Sequence, residues 1–170
     1  MLHRSRWALF LASICCASYL TAVALLATGC SGDETSKGEC TSYSPPAGYD
    51  ASQASITFAR DVQPIFVRSC AFESCHGGQP AEADLFLGKD AARVHMNLVG
   101  VPSKSLPAMF RVEAGDPKDS LLMRKLDGDA CAIAGCTGTC AETMPVASDR
   151  LAESDRLVIR SWIAKGANND

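Results

Sequence analysis

Apolar and polar positions divide the chain into a hydrophobic N-terminal run and a series of short amphipathic segments. Trp7 to Ala27 is apolar or small and carries no charge, behind a basic start at His3, Arg4 and Arg6. Residues 31 to about 54 show no sustained period. They are rich in Ser, Gly, Thr and Asp around Pro45-Pro46, which predicts a flexible linker over 30–54. A folded domain is expected over 55–170. Phe58, Val62, Ile65 and Phe66 recur at helical spacing, with Thr57 as a candidate cap. Pro64 requires that this helix begin just before it or bend there. Leu85 and Leu87 predict a short extended piece. Asp90 predicts the start of a helix over Ala91 to Val99, with Val94 and Leu98 inward. Residues 101–119 read as a long loop. A third helix follows from Ser120 to Leu126, stopped by Gly128. The last helix is expected from about Glu153 to Lys165. Val158, Ile159, Trp162 and Ile163 form its apolar face, Arg156 and Arg160 lie off that face, and Gly166 is the stop. The fold class predicted is a small, mostly α domain.

The first run changes what counts as the domain. A basic start followed by an uncharged apolar stretch is a signal-peptide pattern, and residues 1–29 are assigned to it. A retained transmembrane helix is the competing reading. Leu26-Ala27-Thr28-Gly29-Cys30 resembles a bacterial lipobox, with Cys30 as the lipidated residue. The protein is then expected to be exported and held to the membrane by acyl chains. Ser31 after that cysteine resembles lipoproteins sent to the outer membrane.

Charge narrows the partners. The chain has 16 basic and 19 acidic side chains, and loss of residues 1–29 removes two of the basic ones. With no Lys/Arg stripe, nucleic-acid binding has no electrostatic support. No phosphate loop or nucleophile elbow appears, so an enzyme is not expected.

Nine cysteines carry the candidate chemistry. Cys15 and Cys16 fall in the signal and Cys30 is the lipid site. Cys40, Cys131, Cys136 and Cys140 are disulfide candidates, as suits an oxidising compartment. Two of the last three are expected to pair with each other, and the third to reach Cys40. The remaining two stand in Cys70-Ala71-Phe72-Glu73-Ser74-Cys75-His76, a Cys-His pair with a cysteine upstream. That pattern reads as attachment of haem c, with both sulfurs on the vinyl groups and His76 under the iron. Four residues separate the cysteines where two are usual. Candidates for the second axial ligand are Met144, Met96, Met109, Met123 and His95. Met144 is preferred, because it lies in a loop, precedes Pro145 and comes just before the last helix.

The order of these features resembles a class I, monohaem cytochrome c. Several runs are similar to cytochrome c-like domains of exported proteins from planctomycetes and myxobacteria. They are Asp61-Val62-Gln63-Pro64-Ile65-Phe66, Leu98-Val99-Gly100-Val101-Pro102-Ser103, Gly115-Asp116-Pro117 with Ser120-Leu121-Leu122, Met144-Pro145, and Trp162-Ile163 with Gly166-Ala167. The resemblance covers about residues 57 to 168. It implies a haem packed between the first and last helices, His76 proximal and Met144 distal. It also implies electron transfer to a redox partner protein whose identity the sequence does not give. Two other readings stand beside it. In one, Cys70 and Cys75 form a disulfide in a haem-free, stapled surface lipoprotein that acts as a binding module. In the other, Cys70, Cys75, His76 and a further cysteine bind zinc or copper.

Overall fold

The computed structural model describes Cys40, residues 42–52 and residues 55–170. The expected signal peptide, Cys15, Cys16 and the expected lipidation site at Cys30 lie outside the described residues. Among the described residues no helix is long and apolar enough to cross a membrane.

The stripe that begins at Phe58 becomes the centre of the molecule. A wide helical turn at Phe58–Val62 runs into helix α1, Gln63–Ser69. Pro64 falls in the first turn of α1, where a missing N–H costs nothing. The helix therefore starts just before the proline. The cap runs opposite to expectation: the Thr57 side chain caps no backbone N–H of the turn. Instead the Asp61 carboxylate reaches back and accepts from the Thr57 N–H at 2.8 Å, the returning half of a capping box. Two more first-turn amides find the far end of the chain. Phe58 N–H donates to Asp170 Oδ1 at 2.8 Å and Ala59 N–H to the Asp170 carbonyl at 3.0 Å.

Helix α2, Ala91–Leu98, starts where Asp90 Oδ1 accepts from Arg93 N–H at 3.1 Å, and it buries Val94 and Leu98. Helix α3, Leu121–Asp127, ends on Gly128, whose φ of 77° is left-handed and suits glycine. The loop between them is more ordered than its sequence suggests. Bridges join Val99 to Val112 and Pro102 to Phe110, folding residues 101–112 back on themselves. Arg111 is buried there and donates to the carbonyls of Asn97 and Ala83 at 2.7 and 3.1 Å.

Helix α4, Glu153–Ala164, packs Ile159, Trp162 and Ile163 into the core formed by Phe58, Phe66, Leu98 and Met123. The Trp162 and Phe58 ring centroids are 5.0 Å apart. Each such side chain, fully buried, contributes about 1.5–3 kcal/mol. The expectation that Arg156 and Arg160 lie off the buried face is corrected. Both are buried, and both donate to the buried Asp127 carboxylate at the end of α3, Arg156 Nη1 at 2.7 Å to Oδ1 and Arg160 to Oδ2. Tyr43 lays its ring over both guanidiniums, 4.5 and 5.3 Å from their carbons. Cations buried this deeply require such partners.

The stretch expected as a linker touches the domain at Cys40, Tyr43 and Tyr49. Cys40 bonds Cys131. Tyr43 N–H donates to Asp129 Oδ2 at 3.3 Å, its hydroxyl donates to Glu153 at 3.0 Å, and the Tyr49 hydroxyl meets Ser161 Oγ at 2.9 Å. Cys136 bonds Cys140, so the pairing follows the expected pattern. The cysteine-rich stretch after α3 has two single helical turns, Ala130–Ala132 and Gly138–Cys140, over a small second core of Leu121, Ala130, Cys136 and Cys140. The described chain is thus helix-rich, with isolated bridges and no sheet.

Candidate functional site

α1 ends at Ser69 and delivers Cys70 to the edge of the main core. The next residues turn back tightly. Cys75 and Gly77 N–H both donate to the Phe72 carbonyl at 2.9 Å, and His76 N–H to the Cys70 carbonyl at 3.3 Å. Gly77 and Gly78 make this possible, because a Cβ at either would overlap the Ala71 or Glu73 carbonyl.

His76 is held at both ends of its residue. Its carbonyl accepts from Leu87 N–H at 2.8 Å. Its ring Nδ1 lies 2.9 Å from the Leu85 carbonyl. A carbonyl can only accept, so Nδ1 carries the proton and Nε2 of the neutral ring keeps its lone pair. This is the arrangement that orients a metal-ligating imidazole. Burial holds the His76 pKa below its usual 6.5, against the Leu85 and Glu82 carbonyls, and the Lys125 charge adds to the lowering.

Cys70 is a free thiol. Burial pushes its pKa up to about 12, opposed by Arg68, so it is protonated at neutral pH and inert as a nucleophile. Cys75 is half-buried, with Sγ 3.7 Å from Ser74 Oγ. It is disulfide-bonded, but not to Cys70. The expected alternative of a Cys70–Cys75 bridge is therefore not the arrangement found.

Met144 is half-buried and packs against the same core as Cys70 and Leu85. Its N–H donates to the Lys125 carbonyl at 3.0 Å. The other ligand candidates are otherwise engaged. Met123 is fully buried in the core, Met96 is 69% exposed, and Met109 packs on the second core. His95 Nε2 lies 2.7 Å from the Ala167 carbonyl, and its ring meets Phe58 edge-on.

Cys70, Cys75 and His76 thus stand in one tight loop, and Met144 packs on the same core as Cys70. Two open clefts of about 370 and 390 Å³ lie elsewhere, one beside Asp84, Phe86, Arg93 and Met96, the other between Tyr49 and α4. Among the described residues no three His, Cys, Asp or Glu side chains converge as a metal site.

Sequence reasoning missed two members of this neighbourhood. Lys125 looks like an ordinary helix-surface lysine, yet burial lowers its pKa, with Glu142 opposing. Asp127 is a buried carboxylate whose partners stand 29 and 33 residues away in sequence. No protein-family model, curated protein or solved structure matches this chain.

Proposed function

We propose that this protein is a monohaem c-type cytochrome, an electron carrier and not an enzyme. In this reading Cys70 and Cys75 hold haem c covalently, with His76 and Met144 as axial ligands. It is a lipoprotein, anchored through Cys30 to the outer membrane, that exchanges electrons with a partner protein. The observation that carries the reading is the His76 ring: Nδ1 donates to the Leu85 carbonyl, which fixes the ring and leaves Nε2 with its lone pair. Haem bound there would supply a one-electron iron couple. The chain's own contribution is to fix the imidazole, offer a thioether from the Met144 loop and exclude water with the apolar faces of α1 and α4.

A second reading is a haem-free binding module stapled by the Cys40–Cys131 and Cys136–Cys140 bonds, with Cys75 in a disulfide as well. The two are exclusive, because one sulfur cannot be both disulfide and thioether. Expression in a host with a haem-attachment system distinguishes them. The cytochrome reading expects a Soret band, a haem-sized increment in polypeptide mass that survives denaturation, and loss of the covalent increment in Cys70→Ser, Cys75→Ser. It also expects His76→Ala to abolish the normal spectrum. Colourless protein of unmodified mass, with Cys75 in a disulfide, overturns it.

A further inference from the structure

Helix α3 ends with carbonyls that lack partners inside the helix. Lys125, in its last turn, uses its own carbonyl to accept the Met144 N–H at 3.0 Å. Its side chain turns toward the same loop. Nζ donates to the Thr139 carbonyl at 2.6 Å and to the Glu142 carbonyl at 3.3 Å. One residue thus grips the Met144 loop at three points, from Thr139 inside the Cys136–Cys140 ring to Met144 itself. Thr143 and Arg150 pack close on Gly128 at the end of α3, where a Cβ would press on both side chains.

We infer that Lys125 is a positioning residue, which holds the Met144 loop against the end of α3 and so sets the place of the Met144 thioether. This rests on the cytochrome reading above. The loop-holding part is measurable on the polypeptide whatever it carries.

Lys125→Met keeps the aliphatic stem and removes the charge and both side-chain bonds. The first readout is peroxide oxidation of Met144, followed by mass spectrometry in the folded protein. Loss of two hydrogen bonds from a charged donor is expected to speed it about tenfold. Lys125→Arg should restore protection in large part, and Lys125→Gln serves if the methionine variant does not fold. The second readout uses haem-loaded protein. Lys125→Met should weaken the methionine–iron charge-transfer band while the imidazole-bound spectrum persists. Unchanged Met144 oxidation, or an unchanged band, overturns the inference. Wild type that never acquires haem overturns the cytochrome reading, and the oxidation rates then still decide whether Lys125 holds the loop.

Discussion

Asp127→Ala tests the part of the fold that looks least stable on paper. Asp127 is 3% exposed, and Arg156 and Arg160 are 6% and 8% exposed. The substitution would leave two guanidiniums facing each other with no anion between them. Arg156 keeps its Nε bond to the Leu151 carbonyl at 3.2 Å, and Tyr43 still covers both cations. Neither contact supplies negative charge. Removing one partner of a buried ion pair costs about 3–5 kcal/mol. For a chain of this size that corresponds to a drop in Tm of roughly 10–20 °C. Urea unfolding followed by circular dichroism, with disulfides intact, reads the loss as a lower midpoint at constant slope. A triple variant, Asp127→Leu with Arg156→Met and Arg160→Met, should recover most of it, because well-packed apolar groups replace buried ions at little cost. An Asp127→Ala protein within about 1 kcal/mol of wild type would refute the reasoning, as would a coupling energy near zero in a cycle with Arg160→Met.

Three further outcomes follow from the same structure. The His76 pKa is depressed on folding, so the unfolded chain binds its proton first. Stability should hold above pH 6.5 and fall as the pH drops below it, and His76→Gln should flatten that part of a stability–pH curve. Cys40→Ser should cost more than Cys136→Ser, because the first bond closes 91 residues and the second 4. Chain entropy gives about 4–5 against about 2 kcal/mol, read from denaturant midpoints of the two variants. Iodoacetamide at pH 8 should leave Cys70 unmodified in native protein and label it after unfolding, since the buried thiol titrates near 12. Covalent haem would block labelling in both states.

The helices were legible because each has local chemistry. Asp90 precedes an apolar stripe, Gly128 follows one, and Phe58 to Phe66 keeps one face. Pro64 was ambiguous only because its place in the first turn depends on where α1 begins. The buried charges were not legible. An arginine beside an apolar stripe reads as a solvated edge, and its anion lies 29 or 33 residues away at a helix end. Only the packing of α4 on α3 brings them together. Lys125 escaped for a similar reason, since backbone carbonyls as acceptors leave no trace in side-chain pattern. The cysteine pairs were readable from spacing and number, whereas the tyrosine contacts that lay residues 42–52 along α4 were not.

The Cys40–Cys131 bond also decides how the molecule would bear load. Tension applied through the backbone upstream of residue 40 crosses the sulfur bridge and enters the chain at residue 131. Residues 41–130, with α1, α2, α3 and the Cys-His loop, sit on a slack branch that a pull between the ends cannot draw out. Force spectroscopy should therefore miss roughly 300 Å of contour length until a reductant cuts the bridge.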